Sequence, residues 1–318
     1  MTTADTGAGA IATTSTPPAV ATTPIQGRVK QRMTSRTASA VAVIIAILWT
    51  LPTFGMVLSS FRPENEIKTT GWWTFFTNPN LTLQNYDEVL FSSGTSGRLA
   101  AFFLNSLIIV IPATIIPIAL CALAAYAFTA MNWRGRDWVF IGVFALQIVP
   151  LQMALIPLLR LFTMGFNLGF MQVKLPISGT FWAVWIAHTI FALPLGIFLL
   201  HNFMGEVPKT LLEAAAIDGA GHARIFRSIV LPLLLPALAA YGIFQFLWVW
   251  NDLLVGLTFA SPESQPLTVR LGELAGSRGS EWQRLTAGAF VSIVVPLGVF
   301  FSLQRYFVRG LLAGSVKG

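Results

Sequence analysis

Residues 205–232 read GEVPKTLLEAAAIDGAGHARIFRSIVLP, the longest polar interruption between two long apolar runs in the C-terminal half of the chain. Pro208 is predicted at a first helical turn, where its missing N–H would have been unpaired in any case. Leu211, Leu212, Ala214, Ala215 and Ala216 are good helix formers. Gly219 and Gly221 then supply the freedom to end that helix and turn the chain. At about 1.5 Å per residue, Pro208 to Asp218 makes a rod of roughly 16 Å. The apolar core of a bilayer is about 30 Å thick, so the rod cannot cross it. It is expected outside the hydrocarbon, as a short stiff hook for a partner to grip.

The chain around the hook is 55% hydrophobic and 10% charged, with a mean hydropathy of +0.70. A soluble domain carries about 25% charged residues. The deficit predicts an all-α polytopic membrane protein. Six apolar runs fit this reading: 38–58, 100–128, 138–161, 177–203, 229–259 and 285–303. The first is too long for a cleaved signal peptide and reads as a span. Residues 1–37, rich in Thr, Ala and Pro, are expected to be disordered. The spans and hook would occupy 38–304, with a tail over 305–318. Trp72 and Trp73, in the polar segment after the first run, are of the type that favours the membrane–water boundary. Pro232 and Pro236 are expected to bend the start of the fifth span.

Six spans place both termini on one side. Grouping residues 1–37, 131–137, 205–232 and 305–318 gathers 12 of the 20 basic residues against five of the 13 acids, so the whole net charge of +7 falls on that face. Basic residues near span ends are retained in the cytoplasm, which puts the hook and both termini there. The charge therefore reads as topology and not as a nucleic-acid surface. The single cysteine, Cys121, excludes an intrachain disulfide.

No catalytic constellation emerges. No G-x-x-x-x-G-K-[ST] phosphate loop is present. His188, His201 and His222 have no Cys or carboxylate cluster at metal-ligand spacing, and no metal site is expected. The chain reads as a non-enzyme. His188 is expected to be a hydrogen-bonded packing histidine.

The polar residues of the fifth run stand apart. Gln245 and Asp252 are seven residues apart, nearly on one helix face, with Trp248 and Asn251 beside them. Carboxylate, amide and indole groups suit a sugar, which offers hydroxyls and a flat C–H face. Two readings stay open: a sugar-lined pathway, or a boundary position with the tryptophans as anchors.

Glu213-Ala214-Ala215, followed by Gly219 and Ile229-x-Leu231-Pro232, resembles the EAA loop of ABC-transporter inner-membrane permeases. In that family the loop is a coupling helix seated on the ATP-hydrolysing subunit. The resemblance thus implies the type I ABC importer permease fold and assigns coupling to Glu213, Ala214, Ala215, Asp218, Gly219 and Gly221. The stretch Phe246-Leu247-Trp248-x-Trp250-Asn251-Asp252 and the ending 310–318, GLLAGSVKG, are similar to the maltose-transporter type of sugar permease, and within it to the smaller membrane subunit. That resemblance implies a carrier of maltose, trehalose or another α-glucoside in a bacterial inner membrane. Its implied partners are a second permease, two ATP-binding subunits that hold ATP and Mg, and an extracytoplasmic sugar-binding protein. A permease for a non-sugar solute, or an ion-coupled transporter using Asp252, remains the alternative reading.

Overall fold

The computed structural model describes residues 36–92, 98–167, 169, 172–173, 175–276 and 281–313. The chain divides into two units at Phe54 and Gly55. The first unit contains the beginning of the helix Arg36–Ser60, with side chains such as Trp49 (81% exposed) left open. The disorder expected for residues 1–37 lies outside the described residues, apart from Arg36 and Thr37, which are helical. The second unit, Gly55–Gly318, holds every other described element.

Among the described residues five helices are long and apolar enough to cross a membrane, or six if one bent pair counts as a span. The first, second, fourth, fifth and sixth are Arg36–Ser60, Leu99–Ala130, Phe181–Met204, His222–Trp250 and Trp282–Ala313. In the first, second, fourth and fifth the apolar residues surround the axis instead of forming a stripe, the signature of a helix in lipid. Proline is tolerated inside them at Pro52, Pro112, Pro117, Pro194, Pro236 and Pro296. The sixth helix continues past Leu303 to Ala313, so the tail expected from residue 305 begins as helix.

The structure adds detail to two of the apolar runs. The third is bent: Arg136–Ile148 and Leu151–Thr163 meet at 106° across Val149 and Pro150. Pro150 removes a backbone donor and holds Val149 extended, ending the first half in a 3-10 turn. The fifth run is displaced too. Its helix starts at His222, stops at Trp250, and is followed by a separate short helix, Leu254–Phe259. The irregularity expected at Pro232 is a π-turn over Phe226–Val230, directly ahead of that proline.

Two cores lie at successive levels along the bundle. One gathers Val89, Leu99, Ala113, Ala187, Trp250 and Phe259, and the other Cys121, Tyr126, Leu200, Met204, Ile225 and Tyr241. Both are rich in alanine. In lipid, helices gain little from hydrophobicity alone, and small residues allow the close contact that holds them. At Gly196 a Cβ would lie 2.5 Å from both Cys121 Sγ and Tyr241 Oη, which locks the second, fourth and fifth spans together. On the second span the first core ends at Ala113 and the other begins at Cys121. Gln245, whose side chain bonds the Ala113 carbonyl oxygen, reaches the edge of that gap.

At the end away from the hook the chain is tied down by polar contacts. Asn105 Nδ2 donates to the carbonyl oxygens of Glu263 (2.8 Å) and Gln265 (3.0 Å), and Ser106 Oγ accepts from Leu267 N–H (2.8 Å). A two-residue antiparallel hairpin pairs Phe166 with Val173 and Asn167 with Gln172.

Candidate functional site

The hook is a nine-residue helix, Lys209–Ile217. Pro208 precedes it with extended ψ of 124° and so occupies the capping position, not the first turn. Its other end closes by a Schellman motif. Ala220 N–H donates to the Ala215 carbonyl oxygen and Gly219 N–H to that of Ala216, both at 3.0 Å. Gly219 takes φ of +78°, the left-handed conformation that glycine adopts without steric cost. Gly221 is extended and caps the next helix, its carbonyl oxygen accepting from Arg224 and Ile225 N–H.

The hook has a face toward the bundle and a face away from it. Leu212, Ala215 and Ala220 pack against the core that contains Met204 and Ile225. Glu213, Ala214, Asp218 and Gly219 are exposed, as is Ile217 at 87%. Ala215 is therefore part of the bundle's own packing, and Ala214 is the outward alanine. The sequence motif does not single out Ile217. Its position on the outward face follows from its spacing of three from Ala214 and four from Glu213. Beyond the turn, His222 Nδ1 lies 3.0 Å from the Tyr126 hydroxyl, and Phe226 meets the same ring edge-on at 5.4 Å. The end of the hook is thereby fastened to the second span, 96 residues away in sequence.

The second candidate region is a cavity in the gap between the two cores. It is lined by Gln147, His188, Ala192, Tyr241, Gln245 and Trp248, among others. An open groove of about 380 Å³ adjoins it along the break in the third span, sharing Gln147, Phe191 and Trp248. Gln245 is buried and donates through Nε2 to the Ala113 carbonyl oxygen (3.2 Å), which leaves its amide oxygen available. Tyr241 Oη donates to the Ala192 carbonyl oxygen (2.9 Å). Trp248 is 51% exposed.

Of the four residues read together from the sequence, Gln245 and Trp248 line this cavity, whereas Asn251 and Asp252 do not. The helix ends at Trp250, so its periodicity does not carry Asp252 onto the face of Gln245. Asn251 Nδ2 donates to the Leu247 carbonyl oxygen (2.8 Å). Asp252 Oδ2 accepts from Val255 N–H (2.9 Å) and Gly256 N–H (3.2 Å), capping the short helix that comes next. Its backbone carbonyl oxygen accepts from Thr268 Oγ1. His188 is buried, with Nε2 3.9 Å from Asp252 Oδ2, and lines the cavity. Gln147 and His188 enter the site only through tertiary structure. Among the described residues no group of three His, Cys, Asp or Glu could hold a metal ion.

A stiff exposed rod braced on a bundle of apolar helices, with a polar cavity between two cores, is a transporter's arrangement. Comparison with known proteins agrees. Residues 118–312 match the family described as binding-protein-dependent transport system inner membrane component. The chain belongs to that family. It is a transport component of the inner membrane type. Among its relatives, the osmoprotective compounds uptake permease protein GgtD of Synechocystis sp. is 52% identical, aligning 86% of this chain with 89% of its own. The alpha-glucoside transport system permease protein AglG of Rhizobium meliloti is 49% identical over 82% of this chain and 67% of its own. The trehalose/maltose transport system permease protein MalG of Thermococcus litoralis is 29% identical over 87% and 95%. In structure, the chain resembles a component of a bacterial ABC transporter involved in alginate import. The TM-score is 0.65 at 18% identity, covering 92% of this chain and all of that one. That likeness supports the ABC importer permease fold.

Proposed function

We propose that this chain is one permease of a two-permease importer for α-glucosides or related small sugars. The observation that carries the coupling half of this reading is the Schellman-closed hook, fastened to the second span through His222 and Tyr126. Two ATP-binding subunits supply and hydrolyse ATP with Mg on the cytoplasmic face, and this chain binds neither. One of them receives the outward face of the hook: Glu213, Ala214, Ile217, Asp218 and Gly219. Ala215, Gly221 and His222 act behind that face, holding the rod against the bundle. When the ATPases close, the hook transmits the displacement into the fifth span without bending, because its end is pinned and not frayed. Both termini lie in the cytoplasm, and a binding protein delivers solute from the opposite side.

The substrate reading rests on the names of the relatives and on the cavity chemistry. Gln147 and Gln245 offer amide groups to hydroxyls, and Trp248 offers a ring face to a pyranose C–H face. Asn251 and Asp252 hold the end of the fifth span over this cavity. The likeness to an osmoprotectant permease favours a second reading, a small compatible solute in place of a disaccharide. Purifying the assembled complex, identifying its companions and measuring which solute stimulates its ATPase tests both. Stimulation by an α-glucoside supports the first reading, stimulation by a non-sugar osmolyte alone the second. ATPase-independent uptake driven by an ion gradient would overturn the importer reading.

A further inference from the structure

The segment after the first span is built with unusual care for a loop. Arg62 is 1% exposed, and its guanidinium organises the whole segment. Nη1 donates to the Gly71 carbonyl oxygen (3.0 Å), and Nη2 reaches Thr70 Oγ1 (2.8 Å), Thr74 Oγ1 (2.9 Å) and Glu66 Oε2 (3.3 Å). Asn85 Nδ2 locks the base by donating to the Ser60 and Arg62 carbonyl oxygens at 2.9 and 2.8 Å. Both terminal nitrogens of this buried arginine are engaged, and they tie the 3-10 turn Trp72–Phe76 to the end of the first span.

The segment thus held presents apolar surface. Trp73, Phe76, Leu81 and Leu83 are 63%, 67%, 59% and 69% exposed. Residues 69–83 contain no charged side chain, while the preceding helix Glu64–Thr69 carries Glu64, Glu66 and Lys68. The Trp72 indole lies against Gly55, where a Cβ would stand 2.8 Å from Nε1. Gly55 is five residues before the end of the first span at Ser60, about 7.5 Å along the helix axis. The aromatic turn is thus folded back beside the span, at the depth of its last turns, and does not project beyond them. Interfacial elements seat their apolar side about 5–10 Å into the headgroup–acyl boundary, and tryptophan favours that layer.

We propose that residues 71–83 form an aromatic foot embedded in the membrane interface at the end opposite the hook, with lipid as its partner and Arg62 as the bracket holding it at that depth. A fixed foot resists vertical slippage of the first span while the rest of the bundle moves. The inference rests on the membrane placement of the first span and not on the identity of the solute.

Cys121, the single cysteine, is fully buried, so cysteines introduced elsewhere can be labelled selectively. Trp73→Cys, Phe76→Cys and, as a water-exposed reference, Lys68→Cys would be spin-labelled in the assembled transporter in lipid nanodiscs. Collision rates with oxygen and with a neutral nickel chelate would then be compared. The expected ratio of oxygen to nickel is several-fold higher at residues 73 and 76 than at residue 68, with or without the binding protein. Equal ratios at all three sites would overturn the proposal. Shielding of residues 73 and 76 only after the binding protein is added would also overturn it, and would assign the surface to that protein. Uptake by the unlabelled complex is measured in parallel, so a failed foot is not mistaken for a failed transporter.

Discussion

The Tyr126 hydroxyl stands 3.0 Å from His222 Nδ1, joining the second span to the first residue beyond the hook's turn. A single hydrogen bond contributes about 1 kcal/mol net, so Tyr126→Phe should leave folding nearly intact. Its effect is expected on transmission. Uptake per ATP hydrolysed falls several-fold in proteoliposomes while ATPase activity and membrane level hold. An unchanged ratio would show that the bond is incidental to coupling.

Gly219 has φ of +78° and no atom within 4 Å of where a Cβ would stand, so its constraint is conformational and not steric crowding. A β-branched residue forced into the left-handed region costs about 1–2 kcal/mol. Gly219→Val should open the Schellman closure and lower uptake sharply, with normal membrane levels. Gly221→Ala keeps an ordinary extended φ and meets nothing within 4 Å, so it should be close to neutral. Equal loss from both substitutions, measured as transport rate at matched expression, would refute the conformational argument.

Asp252 caps the helix Leu254–Phe259 through Oδ2, and asparagine is as good a cap as aspartate. Asp252→Asn is therefore expected to retain most stability and uptake, while Asp252→Ala loses about 0.5–2 kcal/mol, read as a lower Tm of the purified complex. A carboxylate needed for ion coupling or for a charged solute contact would give the opposite pattern, with both variants inactive.

Trp248 and Gln245 line the cavity from the fifth span. Trp248→Ala removes a half-exposed ring with little packing role, so it should raise the KM for solute uptake by about tenfold, equivalent to ~1.4 kcal/mol, with little change in Tm. Gln245→Leu leaves the Ala113 carbonyl oxygen without its side-chain donor and should cost both stability and uptake. A change in Tm alone, with uptake KM constant for both variants, would remove these residues from the pathway.

The hook is legible in the sequence because its determinants are local. Alanines build the helix, a glycine takes the positive φ, and the cap closes within six residues. The apolar runs are legible for the same reason. The break in the third span is not. Pro112, Pro117 and Pro194 sit inside continuous helices while Pro150 marks a 106° bend, and the proline itself is the same in all four cases. Neighbouring helices determine whether the freed backbone groups are satisfied, and that information is tertiary. The i, i+7 spacing misplaces Asp252 because it assumes an unbroken helix, and the helix ends two residues too early at Trp250. Gln147 and His188 reach the cavity from different spans, so no spacing rule could join them to Gln245. Ala215 belongs to the motif assigned to coupling but packs toward the core, a matter of which face the bundle covers.

The central claim is that an exposed rod on the cytoplasmic side couples a partner's nucleotide cycle to this bundle. Ile217, 87% exposed on the outward face, is the position to probe. The measurement is labelling of Ile217→Cys by a membrane-impermeant maleimide in inside-out vesicles, with and without the ATPase subunits, and in intact cells. Strong labelling in stripped vesicles, protection on rebinding the ATPase, and none in intact cells is the predicted result. Labelling from outside intact cells would contradict the account.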